Sequence, residues 1–220
     1  MKQNKSSRST VLLFLLGAAL IVAALIMLVP DLLNYKQSND TYDALKDTYV
    51  SEKPENTEVA EETGGDDSWW YTDVDVNLEE LQQVNADIIG WIRFDNLEQL
   101  SYPVLYSGDD EKYLRTDVYG NQTIAGCIFM DHGCKKDFSD PNTIIYGHNM
   151  RNLSMFGKLK QFRDQAVFDS DAYFWVYTPE KIYKYEIFSC QEVGATSETY
   201  QLQFSDKKKF QEYIDSCFER

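Results

Sequence analysis

The chain has 220 residues, with 36 acidic against 21 basic side chains and a formal net charge of -15. This length bounds one globular domain plus additional segments. The lack of any Lys and Arg surplus excludes a nucleic-acid binder, whose phosphate affinity comes from clustered cations. An aromatic content of 14% argues for strands and a packed core rather than disorder.

Residues 1–10 include Lys2, Lys5 and Arg8 and are expected to form a cytoplasmic tail. Residues 11–29 (VLLFLLGAALIVAALIMLV) carry no charge. As a helix this run reaches roughly 28 Å at about 1.5 Å per residue, close to the ~30 Å hydrocarbon core of a bilayer. Cations before it and Asp31 after it place the N-terminus inside and the rest of the chain outside. A cleaved signal peptide fits less well, because its apolar region spans only ~7–15 residues and ends at a small-x-small site. The expectation is a single-pass anchor in the cell membrane with an extracytoplasmic domain.

Residues 30–68 are expected to be an acidic extracytoplasmic spacer. Between Asp40 and Asp67 there are ten acidic residues against Lys46 and Lys53, with too few large apolar side chains to offset ordering entropy. The folded domain is expected over 69–220, starting near Trp69. Asn77 and Glu80 form an N-x-x-E capping pattern, and Leu78, Leu81 and Val84 share a helical face. The pattern then turns to strands: 88–94, 102–106 with a proline that suits an edge or a strand start, 123–130 and 143–146. Residues 173–177 and 182–189 flank Thr178-Pro179-Glu180-Lys181 as a hairpin. Helical spacing returns at Met155, Phe156, Leu159 and Phe162, and at Phe210, Tyr213, Ile214 and Cys217 after a Ser205 cap. The class is a mostly β barrel or sandwich with flanking helices.

Cys127, Cys134, Cys190 and Cys217 allow three disulfide pairings, and the residues leave the choice open. Cys190 and Cys217 occupy apolar-patterned positions, where buried free thiols are at least as consistent as bridges. The two histidines are His132 and His148. His148 follows the strand Thr143-Ile144-Ile145-Tyr146 and Gly147, at a strand mouth suited to proton transfer; an ordinary loop histidine has the same composition.

Several ordered segments carry a family resemblance. Asn85-Ala86-Asp87-Ile88-Ile89-Gly90-Trp91-Ile92, Tyr102-Pro103-Val104, Asp109-Asp110-Glu111-Lys112-Tyr113-Leu114 and Gly126-Cys127-Ile128-Phe129-Met130-Asp131 come first. Asn142-Thr143-Ile144-Ile145-Tyr146-Gly147-His148-Asn149-Met150 and Tyr185-Glu186-Ile187-Phe188-Ser189 follow. Together they resemble the class B sortases. The resemblance implies a sortase-like β-barrel and a cysteine transpeptidase that cleaves a sorting motif near the C-terminus of secreted proteins, then links them to an amine of a peptidoglycan precursor. It makes His148 the catalytic histidine. It places Asp110, Leu114 and Tyr146 at the substrate groove, with Tyr200 a weaker groove candidate; for Leu114 and Tyr146 a plain core role is equally consistent. Asp110 stands where the family often carries asparagine. The chemistry needs a thiolate, a histidine that moves a proton, and an arginine to stabilise the oxyanion.

The family's nucleophile lies in a T-L-x-T-C strand after the last helix, with the arginine on the next strand. None of the four cysteines here has those preceding residues, and Cys217 lies on an apolar helical stripe. The expectation is that the last strands, with both groups, lie beyond Arg220. The alternative is a truncated or degenerate, non-catalytic, membrane-anchored surface protein that binds sorting peptides. A metal set of His132, Cys134 and His148 with Asp131 has suitable ligand types, but its spacing fits no compact site. No metal and no cofactor is expected.

Overall fold

The computed structural model describes residues 5–52, 74–95, 97, 100–170 and 172–218. The expectations for residues 1–4, for the acidic stretch 53–68, for a start near Trp69 and for Arg220 lie outside the described residues. So do the side chains of Lys5 and Arg8.

Helix α1 (Lys5–Tyr49) is 45 residues long and passes through Pro30 without ending. Its apolar stretch is exposed, and it is long and apolar enough to cross a membrane. Where a solvated spacer was expected from residue 30, the helix instead continues and docks on the domain. Tyr35, Ser38, Tyr42, Leu45 and Tyr49 recur at 3–4 spacing and form one stripe. Tyr42 and Leu45 are buried in the core at 4% and 1% exposure, with Tyr35 and Tyr49 packed against it. The acidic residues between them occupy the other faces, so net charge concealed a helix with a partner. Strand β1 (Val50–Glu52) follows directly and pairs antiparallel with β2 (Val74–Val76).

Helix α2 (Leu78–Val84) begins as expected: the Asn77 side chain accepts the Glu80 N–H at 3.1 Å. The capping box is only half formed, because the Asn77 N–H goes to the Tyr49 carbonyl at 2.9 Å. That bond joins α2 to the end of α1.

The core is a curled six-stranded sheet in the order β6-β5-β4-β3-β7-β8, a half-barrel flanked by helices. Its strands are β3 (Ile88–Phe94), β4 (Ser101–Leu105), β5 (Ile128–Met130), β6 (Ile145–Tyr146), β7 (Tyr173–Tyr177) and β8 (Ile182–Glu186). All neighbours are antiparallel except β4 and β5. β3 is central and buried on both faces, and Trp91, fully buried, donates its indole N–H to Ser101 Oγ at 2.8 Å. Pro103 suggested an edge or a strand start, and β4 is an interior strand. Only Val104 and Leu105 of β4 pair with β5, so the proline lies outside that ladder. β5 and β6 are also shorter than the apolar runs that announce them.

The hairpin expected at Thr178 to Lys181 is present, closed by Thr178 N–H and Oγ1 to the Lys181 carbonyl at 3.0 and 2.7 Å. The segment Phe156–Arg163 is 3₁₀ rather than α, followed by α3 (Gln165–Ser170). Helix α4 (Lys207–Phe218) is capped by Asp206, which accepts the Lys209 N–H at 2.9 Å, rather than by Ser205, whose hydroxyl bonds Asp206. All four cysteines are free; Cys217 is buried, whereas Cys190 is exposed.

Candidate active site

His148 follows β6 on a short return whose shape is set by the backbone. Its carbonyl accepts two N–H groups, from Met150 and Phe156, each at 3.1 Å. Asn149 and Met155 form an isolated bridge, and the Met155 N–H donates to the buried Tyr102 hydroxyl at 3.0 Å. A Cβ at Gly147 would collide with Ile128 and the Phe156 ring. The residue before the histidine therefore has to be glycine for the return to seat on β5. The imidazole is half-buried. Burial, and secondarily the Arg115 guanidinium, hold its pKa below the usual 6.5, while the Ala125 backbone acts the other way. A half-buried imidazole kept neutral near pH 7 is a competent proton acceptor, and it donates once charged.

Leu114 and Arg115 lie on the neighbouring wall, at the 3₁₀ turn Lys112–Leu114. Leu114 is 40% exposed, which is unlike a core leucine. Side chains hold this turn. Asp109 Oδ1 accepts the Glu111 and Lys112 N–H groups at 2.8 and 2.7 Å. The Tyr113 hydroxyl and Lys112 Nζ both donate to Asp87 Oδ2 at 2.7 Å. Asn85 Nδ2 donates to the Tyr113 hydroxyl at 3.1 Å and to the Val118 carbonyl at 2.8 Å. The Asn85-x-Asp87 pair is thus a clamp on the turn that carries Leu114. Gly126 completes the packing: at φ +60, a Cβ there would run into the Tyr113 and Leu114 carbonyls.

Asp110 and Tyr146 meet on a second cluster. Asp110 accepts the His132 backbone N–H at 2.8 Å and sits 2.6 Å from its Nδ1. The Tyr146 hydroxyl donates to Asp131 Oδ2 at 2.7 Å. Burial and that bond push the Tyr146 phenol upward in pKa, and Tyr200 is near enough to add to the effect. Tyr200 itself closes the 3₁₀ turn Glu198–Tyr200 and is 42% exposed. The sequence reading set His132 with Cys134, His148 and Asp131. The structure groups it with Asp110 and Asp131, whose ligand atoms lie within 4.8 Å of one another and of His132. Cys134 turns inward, its sulfur accepting the Ile144 N–H at 3.4 Å. Arg115 beside His148 went unnoticed in sequence, as did the clamp role of Asn85 and Asp87; the signal for the clamp was present, in the motif around them.

Among the described residues no cysteine is hydrogen-bonded to His148. Cys127 is fully buried, with Sγ 3.3 Å from the Tyr42 hydroxyl and 3.2 Å from the Thr116 carbonyl. Burial pushes its thiol up to about 12.

No family model matches the chain. It is 33% identical over 137 residues to sortase B of Listeria monocytogenes, covering 62% of this chain. It spans 55% of that protein and 56% of the Staphylococcus aureus sortase B, so just over half the length of these curated relatives. Among solved structures, sortase B of B. anthracis in complex with AAEK1 superposes with a TM-score of 0.67 at 26% identity, over 86% of this chain and 81% of that one. A Staphylococcus aureus sortase B–substrate complex gives a TM-score of 0.61 at 26% identity, over 64% and 65%. Sortase B from Listeria monocytogenes gives 0.59 at 31% identity, over 64% of this chain and 81% of that one. With the ordered motifs placed on one half-barrel, and with a relative at this identity covered over most of its solved domain, the chain belongs to the class B sortases.

Proposed function

We propose that this chain carries the catalytic histidine and the groove of a cysteine transpeptidase. The enzyme cleaves a sorting motif near the C-terminus of secreted proteins and links them to an amine of a peptidoglycan precursor. The observation that supports this best is His148: half-buried, kept neutral by burial and Arg115, and fixed by two hydrogen bonds to its own carbonyl. A thiolate facing this imidazole is required to attack the scissile carbonyl. As that thiolate forms, the thiol proton passes to neutral His148, which gives it to the departing amine and later takes a proton from the incoming amine while the thiolate leaves. Leu114, Tyr146, Asp110 and Tyr200 are the groove residues in this reading, and no cofactor takes part.

The apolar segment 11–29 anchors the enzyme, with the cationic residues 1–10 inside and the domain outside. Extracytoplasmic placement matches the substrates, which are secreted proteins and wall precursors.

The test is turnover of a fluorogenic sorting-motif peptide by the full-length gene product in detergent. His148→Ala is expected to reduce cleavage by at least about a hundredfold, in line with loss of a general acid–base. Equal turnover by wild type and variant would refute the assignment. Retention of the peptide by the wild type without any cleavage would mean capture rather than transfer, and would equally remove the transpeptidase reading.

A further inference from the structure

Asp110, Asp131 and His132 each offer one ligand atom, and these atoms all lie within 4.8 Å of one another. His132 Nδ1 lies 2.6 Å from Asp110 Oδ2 and 3.8 Å from Asp131 Oδ1. Ligand atoms around a tetrahedral ion with bonds of ~2.0–2.1 Å sit about 3.3 Å apart, a value bracketed by those two distances. Small side-chain shifts would satisfy it.

The carboxylates are also held from behind. Asp110 Oδ1 accepts the His132 N–H at 2.8 Å. Asp131, buried at 8% exposure, accepts the Gly133 N–H through Oδ1 at 2.8 Å and the Tyr146 hydroxyl through Oδ2 at 2.7 Å. The Tyr106 hydroxyl donates to the His132 carbonyl at 2.8 Å. Each oxygen nearest the ring keeps a spare lone pair, and hydrogen bonds that orient ligands in this way are typical of metal centres. A simple Asp–His ion pair needs one carboxylate; here two face the same ring nitrogen.

We propose that Asp110, Asp131 and His132 form a binding site for one divalent ion of the Zn²⁺ class. Imidazole nitrogen with two carboxylate oxygens suits that ion. Nδ1 ligates through its lone pair in the neutral Nε2–H tautomer; a doubly protonated ring releases its Nδ1 proton to solvent on binding. The His132 side chain is 62% exposed, which leaves the ion positions open to water or a further ligand. The ion ties the segment before the Lys112–Leu114 turn to the end of β5, and so braces the wall that carries Leu114. The site stands on its own geometry, whatever the fate of the transpeptidase reading.

The test uses the full chain in detergent, stripped with chelator and carrying Cys190→Ser so that the exposed thiol does not compete. Titration with ZnCl₂ by calorimetry is expected to show one equivalent bound. Asp110→Asn keeps an acceptor for the His132 N–H, and should weaken binding by at least about tenfold. Tyr146→Phe, which removes only an orienting bond, should weaken it by about tenfold. Thermal melts without zinc establish that each variant is folded. Absence of saturable one-equivalent binding would overturn the proposal, as would equal zinc affinity in the parent, Asp110→Asn and His132→Gln. A loss of thermal stability in Asp110→Asn with no zinc bound by the parent would mark an ion pair alone, and would also overturn it.

Discussion

Cys127 lies in a motif segment of the candidate site, and its chemistry decides whether it has any part in acyl transfer. With its thiol pushed up to about 12 by burial, about one part in 10⁴ is thiolate at pH 8, against about a quarter for an ordinary thiol near 8.5. That ratio is roughly 2,000-fold. The more basic thiolate recovers about 25- to 55-fold in intrinsic nucleophilicity at a Brønsted slope of about 0.4–0.5. About 40- to 100-fold remains, before any opening is needed to expose a side chain at 0% exposure. The native protein is treated with iodoacetamide at pH 8, with glutathione as internal reference, and peptide mass spectrometry follows each cysteine. Cys190, exposed, should label first. Cys127 should lag glutathione by at least about 40-fold. Labelling of Cys127 within about tenfold of glutathione would refute the burial argument and make this thiol a candidate nucleophile.

Leu45→Ala removes a side chain at 1% exposure between α1 and the domain. It should lower stability by about 2–5 kcal/mol, measured by denaturant unfolding in detergent; a loss under about 0.5 kcal/mol would mean that the end of α1 is not part of the cooperative fold. Tyr113→Phe deletes the hydroxyl shared by Asp87 and Asn85, and should cost about 1–3 kcal/mol in the same assay. For His148 the folded pKa is depressed by burial and Arg115, so below 6.5 the unfolded chain binds more protons. Its contribution is therefore full above the unfolded pKa and is lost as pH falls from about 6.5 through the folded value. NMR titration of the ring should give a midpoint below 6.5, and Arg115→Gln should move it upward; an upward-shifted midpoint in the wild type would contradict the geometry.

The parts of the fold that were legible from sequence are those where pattern and packing coincide. The β3 run from Ile88 to Phe94 is continuous because both faces are buried, and the β7–β8 hairpin is announced by its turn residues. Asn77 was readable as a cap because its side chain does satisfy the Glu80 N–H. The rest failed for identifiable reasons. Acidic residues on the exposed faces of α1 swamped the five-residue stripe that docks it. Pro103 reads as an edge until it is known that β5 pairs only with the two residues after it. For the candidate site, the ordered motifs single out His148, Leu114 and Asp110, and the structure sets His148 just after the end of β6 and Leu114 on an exposed turn. The Asp110–His132 and Asp131–Tyr146 contacts were not legible, since they join residues 22 and 15 positions apart through the sheet.

The segment between Tyr106 and Cys127 is held with little regular secondary structure of its own. It holds one three-residue 3₁₀ turn and an isolated bridge between Thr116 and Gln122, yet ordering each residue costs about 1–2 kcal/mol of backbone entropy. No long ladder offsets that. The compensation comes from fixed side-chain anchors: Asn85 on Tyr113 and Val118, Asp87 on Lys112 and Tyr113, and Asp117, which accepts the Tyr119 and Asn121 N–H groups at 2.9 and 2.8 Å. The Cys127 N–H closes the far end on the Tyr113 carbonyl at 2.9 Å. Asp117 anchors the segment from within, whereas Asn85 and Asp87 reach it from the end of α2 and the start of β3, so its position depends on the core as well as on its own sequence. Substitutions at Asn85 or Asp87, remote in sequence from His148, should therefore loosen the turn that carries Leu114 while leaving the sheet intact.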